Sequence, residues 1–388
     1  MNTTAEIKST IATHAKNHAF RLGEGLSKAG VLDKIYTIYP RFKIGDYDIK
    51  REEIKSLWPL GALKYLGRRL HSRAIEELAS EYFDDVTSLI LKKPEGAWVF
   101  TGYSGYSERS LKKAKKMGAV TLVERACPHI DDQEEIMREE KSTLLNKKIL
   151  KTSNKVYERM KREYEIADYI VVPSNYSLES FVKKGFPRSK LLLTPLSNEK
   201  NINFRENKIL PEQFTVLCVA GHFYRKGVFY LLKAWERLKL KNAKLIVKTE
   251  IPPEFDHLYQ IPNTEIISSR LSDKEMDELY GKASIFVLPS IDEGFGMVVV
   301  EAMRAALPVI VTENVGAADI LHEGKEGFIV PIRSADALAE QILFLYKNPE
   351  EVKRMGKLAL ATSKEYTPQK YAERVIEVYK KVLSKNSH

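Results

Sequence analysis

The sequence predicts an α/β protein of two Rossmann-like, doubly wound parallel units. Three observations carry this. At 388 residues the chain is too long for one ordinary core. Its apolar runs, of which I-F-V-L at Ile285–Leu288 is typical, do not alternate with polar residues, which suits strands buried on both faces. Strand-like and helix-like stretches alternate through most of the second half, as a parallel sheet with crossover helices requires.

The most informative stretch begins at Ile285 and reads I-F-V-L-P-S-I-D-E-G-F-G-M-V-V-V-E-A-M, followed by P-V-I-V-T. Pro289 ends the first strand. Gly294 and Gly296 supply a turn that bare backbone can fill. Residues 298–306 read as a buried helix, Pro308 stops it, and residues 309–311 start the next strand, completing a βαβ unit. Glu293 falls at the carboxyl end of the first strand and Glu301 eight residues later on the helix. Ligands of open α/β sheets bind at that edge, and the free N–H groups of the helix start favour phosphate there. A carboxylate beside phosphate is repelled, so both glutamates are expected to aim at neutral groups such as sugar hydroxyls.

E-G-F-G-M-V-V-V-E after L-P-S resembles the signature of the large retaining glycosyltransferase family of GT-B architecture, family 4, also called glycosyl transferases group 1. The later P-V-I-V-T and G-F-I-V-P are similar too, and the resemblance is clear from about Arg159 onward. It implies two Rossmann-like domains facing across a cleft. It also implies a nucleotide-sugar donor, UDP- or GDP-linked, as substrate, with no obligatory cofactor or metal. By the same resemblance Glu293 lies by the donor sugar and Glu301 binds the ribose, with Gly294, Phe295 and Gly296 lining the donor.

The hydrophobic fraction, 44%, is that of a globular protein. No apolar run reaches the roughly 18 residues of a membrane span, and M-N-T-T-A-E-I-K lacks the apolar region of a signal peptide. Cys127 and Cys218 form no disulfide framework, so a reducing cytoplasm is expected. The net charge of +10 is uneven: residues 1–200 hold 36 Lys and Arg against 27 Asp and Glu, the remainder 26 against 25. The first half is therefore expected to meet something anionic.

In chain order, residues 5–13 suit a first strand. Ala15, Ala19, Leu22 and Leu26 mark one helix face that Gly30 ends, and residues 34–39 suit a second strand. The intervening T-H-A-K-N-H has none of the glycines usual at this turn in GT-B enzymes. His14, Lys16 and His18 are the candidates to meet donor phosphate there. Residues 56–73 set Trp58, Leu60, Leu63, Tyr65 and Leu66 beside Lys64, Arg68, Arg69 and Arg73. Two readings stand: an interfacial helix for anionic lipid, and a helix whose apolar face joins the core while its cations are solvated. Residues 98–101 form a short strand before G-Y-S-G-Y-S, a strand-to-helix turn facing the cleft. Residues 119–123 form the next strand. The resemblance places a histidine after it near the donor sugar, which here is His129. Cys127 with His129 has too few ligands for zinc. The charged helical region up to Glu165 is expected to break near Thr152 or Ser153.

The second unit opens with a strand at residues 214–220, then G-H-F-Y-R-K-G. Gly221 turns the chain, and Arg225 and Lys226 stand where a diphosphate would lie. Two cations at a helix start oppose its dipole, which favours an anionic partner. The resemblance puts an arginine directly after the glycine and a lysine a few residues on. Lys226 matches; His222 occupies the arginine's place, and Arg225 is its candidate substitute. Further strands are expected near residues 245–248, 265–268, 309–311 and 328–330, with closing helices near 335–346, 351–361 and 368–383. Arg270 and Leu271 follow a strand end where the family holds the base.

The expected units are residues 1–200 on the acceptor side, 201–366 on the nucleotide-sugar side, and a final helix, 367–388, crossing back to the first. The expected activity is sugar transfer from a nucleotide sugar to a carbohydrate or lipid-linked acceptor in polysaccharide or glycan biosynthesis. The enzyme would be cytoplasmic, with peripheral contact to anionic membrane open. A nucleotide-sugar epimerase of the same architecture and a basic nucleic-acid-binding protein are the alternatives. No nucleic-acid motif is present, so no nucleic-acid partner is expected.

Overall fold

The computed structural model describes residues 6–14, 18–151, 154–197 and 202–386. Thirteen strands among them form two sheets, parallel throughout. The first contains β1 (Ile7–Thr13), β2 (Leu32–Thr37), β3 (Ile54–Ser56), β4 (Ala97–Tyr103), β5 (Val120–Glu124), β6 (Tyr169–Val172) and β7 (Leu191–Leu193). Its order is β3-β2-β1-β4-β5-β6-β7. The second contains β8 (Phe214–Val219), β9 (Ala243–Lys248), β10 (Thr264–Ile267), β11 (Ile285–Leu288), β12 (Val309–Thr312) and β13 (Gly327–Val330), in the order β10-β9-β8-β11-β12-β13. Each sheet reverses its winding once, between β1 and β4 and between β8 and β11. At such a switch point the following loops run to opposite faces and leave a crevice.

The apolar runs account for the strands. All four residues of β11 are fully buried, as are Val216 and Leu217 of β8, so both faces of the sheet are covered. The helix Met297–Arg304 presents Val299, Val300, Ala302 and Met303 to this core. Its β-branched start is tolerated because burial outweighs a propensity cost of at most about 0.7 kcal/mol per residue.

Several local expectations shift. The second strand starts at Leu32 rather than Lys34. β3 and β7 were not expected, since three residues are too few to show a period. The charged region is two helices, Ile130–Leu144 and Lys155–Ile166, while Thr152 and Ser153 lie outside the described residues. The helix expected from Ala15 is described only as Ala19–Lys28, because residues 15–17 also lie outside them. The core reading of residues 56–73 holds only in part. The helix Trp58–Arg69 buries only Gly67, and Trp58, Tyr65 and Leu66 are exposed. Leu60 nonetheless packs against the core around Ile38 and Phe83, and Arg68 and Arg69 are solvated, as that reading expects.

The last helix, Pro368–Lys385, lies on the first sheet. A Cβ on Gly25 would come within 2.3 Å of the Ala372 Cβ, so glycine lets it pack against the helix Ala19–Lys28. The Tyr379 hydroxyl sits 3.2 Å from both Ser9 Oγ and Thr101 Oγ1. Tyr379→Ala should therefore lower unfolding stability by about 3–5 kcal/mol through the lost ring. Tyr379→Phe, which loses only the hydroxyl, should cost about 1 kcal/mol. Denaturant unfolding of both variants measures the two contributions, and equal costs would show that the ring burial does not hold the helix.

Candidate active site

Two loops flank the switch point of the second sheet. Residues 220–227 join β8 to the helix Val228–Leu238, and residues 289–296 join β11 to the helix Met297–Arg304. They are zipped together by backbone. The Ile291 and Asp292 N–H groups donate to the Arg225 carbonyl at 2.8 and 3.3 Å. Gly227 has φ of 59°, and a Cβ there would come within 2.0 Å of the Pro289 carbonyl oxygen, so only glycine allows the approach.

This zipper brings Arg225, Lys226 and Glu293 together. Arg225 Nη1 donates to Glu293 Oε2 at 3.0 Å and to the Asp292 carbonyl at 3.2 Å. Lys226 Nζ contacts the same Glu293 oxygen. Burial alone would raise the Glu293 carboxyl, but Lys226 and Arg225 outweigh it and hold the group below its ordinary range. Glu293 thus meets two cations within the protein, a contact that the expectation of neutral partners did not include. Two cations before a helix start are costly, and the nearest carboxylate answers them.

His222 lies on the rim of the same loop. Its Nδ1 faces the Arg225 N–H at 3.5 Å, and burial, then Arg225 and Lys141, lowers its pKa. Lys141 comes from the helix Ile130–Leu144 and stands 5.4 Å above the Tyr224 ring. Four basic groups therefore surround one crevice. Gly221 has open space where a Cβ would point.

Glu301 is buried on its helix and accepts a hydrogen bond from the Tyr280 hydroxyl at 2.9 Å. Burial and that carboxylate hold the phenol protonated, so it remains a donor. Phe295 is buried, and its carbonyl accepts the Ala317 N–H at 2.6 Å. Gly296, with φ of 91°, starts the helix. A Cβ on Gly294 would meet the Ala126 carbonyl oxygen at 2.0 Å, so the two units touch through backbone. Arg270 is exposed and Leu271 half-buried just beyond β10.

His129 stands apart from these groups. It caps the helix Ile130–Leu144, its Nδ1 accepting the Asp131 N–H at 3.2 Å. Tyr164, Phe181 and Phe186 surround its ring, and burial lowers its pKa to about 4. His14 and His18 are both buried. His14 stacks on Tyr106 at 4.2 Å and His18 contacts Glu124, while Lys16 lies outside the described residues.

Sequence reasoning missed Asp292. It is fully buried and accepts from Gln133 Nε2 at 2.7 Å and from the Tyr176 hydroxyl at 3.0 Å. Both donors come from the first unit. Arg125 Nη2 in turn holds Gln133 Oε1 at 2.8 Å. Its adjacency to Glu293 in D-E-G-F-G was the available signal, but its partners are more than 100 residues away.

Residues 199–362 match the family described as glycosyl transferases group 1. The chain carries a glycosyl transferases group 1 domain. Its curated relatives include the putative glycosyltransferase EpsD of Bacillus subtilis, 31% identical over 41% of this chain and 47% of that protein. Another is the amylovoran biosynthesis glycosyltransferase AmsD of Erwinia amylovora, 24% identical over 53% of this chain and 60% of its own length. The chain spans about half the length of the curated relatives it matches. Among solved structures, Anabaena HepE in complex with UDP and glucose superposes with a TM-score of 0.67 at 12% identity, covering 97% of this chain and all of that one. The fold is GT-B. The group 1 match encloses both glutamates, Arg225 and Lys226.

Replacing Glu293 tests the competition at this crevice. Glu293→Gln should lower stability by about 1.5–3 kcal/mol, since two cations lose an ionised acceptor. It should also tighten pyrophosphate binding, which calorimetry measures. The ionised carboxyl contributes fully above its ordinary pKa of 4.5, and that contribution fades as pH falls through the depressed value. The variant should therefore lose less stability than the wild type between neutral and acid pH. Unchanged pyrophosphate affinity would show that Glu293 does not compete for the cations.

Proposed function

We propose that the chain is a retaining glycosyltransferase moving a hexose-type unit from a UDP- or GDP-linked donor to a carbohydrate or lipid-linked acceptor. We place it in polysaccharide or glycan biosynthesis, in the cytoplasm, with peripheral contact to anionic membrane. One observation carries the reading: Arg225 and Lys226 converge at the sheet's switch point, at a helix start. The family match, the printed activities of EpsD and AmsD, and the UDP and glucose in the HepE complex support it.

In this reading the bond from the sugar's anomeric carbon to the diphosphate oxygen breaks, and its electron pair leaves with the nucleoside diphosphate. An acceptor hydroxyl oxygen bonds to that carbon from the same face and gives its proton to the departing phosphate. Arg225 and Lys226 stabilise the charge that builds there, with Lys141 adding to the field and the neutral His222 ring placed to hydrogen-bond. Arriving diphosphate displaces Glu293 from the cations, and the freed carboxylate turns to the sugar. Glu301, held by Tyr280, takes the ribose hydroxyls. Phe295 and the glycines at 294 and 296 shape the turn, and Arg270 and Leu271 border the base. His129 acts at one remove, by capping the helix that carries Gln133 to Asp292. No cofactor enters.

A panel of nucleotide sugars tests this by thermal shift. A true donor present at a hundred times its Kd should stabilise the fold by about 2.7 kcal/mol. Glu301→Gln should weaken binding of the bare nucleoside diphosphate roughly ten- to a hundredfold. Arg225→Ala and Lys226→Ala should weaken donor binding and slow turnover. A panel without any stabilising nucleotide sugar would remove the reading.

A further inference from the structure

A second concave site lies on the first unit. Residues 38–43 and the helix Trp58–Arg69 bound a groove of about 860 Å³. It opens where β2 and β3 end, at the carboxyl edge of the first sheet. Gly61 makes it possible: a Cβ there would come within 2.3 Å of the Ile38 carbonyl oxygen, so the helix lies directly on the segment after β2.

The lining combines two chemistries. Phe42, Trp58 and Tyr65 are 81%, 58% and 65% exposed, so three aromatic rings stand in solvent at one place. The same lining carries five lysines and arginines and no carboxylate. A merely soluble face mixes both signs of charge. Apolar rings among cations alone suit a molecule with an apolar chain and an anionic head.

The groove also communicates with the rest of the edge. Lys64 lines it and reaches His14 Nδ1 at 3.0 Å, and His14 stacks on Tyr106, just beyond β4. Burial, with Arg68 close by, lowers the Lys64 ammonium to about 8, so an anion there would relieve a destabilised charge. The strand order puts three spacings between β2 and β5, or about 15 Å. The Gly294 turn touches Ala126, just past β5. A ligand seated in the groove can thus extend along one edge towards Glu293.

We propose that this groove seats the lipid phosphate of the acceptor, with its chain on Phe42, Trp58 and Tyr65 and its phosphate on Lys64 and Arg68. The word acceptor rests on the glycosyltransferase reading; the binding of an anionic lipid does not. Arg68 is shared with Glu76 at 3.3 Å, and Lys64 is the deeper of the two cations.

Calorimetry tests this with lysophosphatidic acid below its micellar concentration, the simplest probe with one chain and one phosphate. Inorganic phosphate supplies the charge alone, and lysophosphatidylcholine the chain without net charge. Lysophosphatidic acid should bind at least about tenfold more tightly than either, the equivalent of about 1.4 kcal/mol. The double variant Trp58→Ser, Tyr65→Ser should reduce it towards the inorganic phosphate value. The double variant Lys64→Gln, Arg68→Gln should weaken it roughly thirtyfold, at about 1 kcal/mol per cation. Melting curves matching the wild type show that the variants remain folded. Equal binding of inorganic phosphate would make the groove an anion site only. Equal binding of lysophosphatidylcholine, or wild-type affinity in folded variants, would equally overturn the proposal. A wild type that binds lysophosphatidic acid but no nucleotide sugar would remove the glycosyltransferase reading and leave the groove assignment standing.

Discussion

The site depends on a contact between two backbones. Gly294 lies so close to Ala126 and Cys127 that no side chain fits between them, and Ser174 Oγ donates to the Gly294 carbonyl at 2.6 Å. This fixes the turn of the second unit against strand ends of the first. The turn carries Asp292 towards Gln133 and Tyr176 and Glu293 towards Arg225 and Lys226. Neighbouring residues thus serve opposite duties, one fastening the units and the other meeting the cations. A shift of the turn would disturb both at once, because interiors packed to crystal density have little slack.

The charge distribution follows from the same placement. Arg225, Lys226 and His222 arrive on one loop, and Lys141 comes from the other unit. Like charges repel, and among the described residues Glu293 is the carboxylate that pairs with the first two. A multiply charged anion can answer both Arg225 and Lys226, with the neutral His222 ring beside them on the same loop. That is a stronger pull towards phosphate than any single hydrogen bond in the crevice, because each cation gains when the low-dielectric site is filled. Glu301, deeper and tied to a neutral phenol, keeps out of this competition.

Legibility in the sequence followed the range of the interaction. The β11 run, the glycine turn and the helix after it are local, and each was read where it lies. Arg225 and Lys226 were legible because cations at a helix start are locally anomalous. Glu293's partners were not, since they depend on two loops meeting 67 residues apart. Asp292 went unnoticed for the same reason, its partners lying in the other unit. His129 was noticed for its position after a strand, but its ring is claimed by aromatic residues from two later segments. The helix Trp58–Arg69 has the composition of a core helix, but while Leu60 packs on the core, Trp58, Tyr65 and Leu66 stay exposed, a division that composition does not show.

The crossing of the last helix has a mechanical consequence. The chain leaves the first sheet after β7 and enters the second at β8, and it returns to the first with the helix Pro368–Lys385. Two tethers at separate points remove most of the ways one rigid body can turn on another. Twisting about a single strand of chain is lost, and bending about the line through both tethers survives. Any motion that opens the crevice must part Gly294 from Ala126, so that backbone contact is the first to feel it.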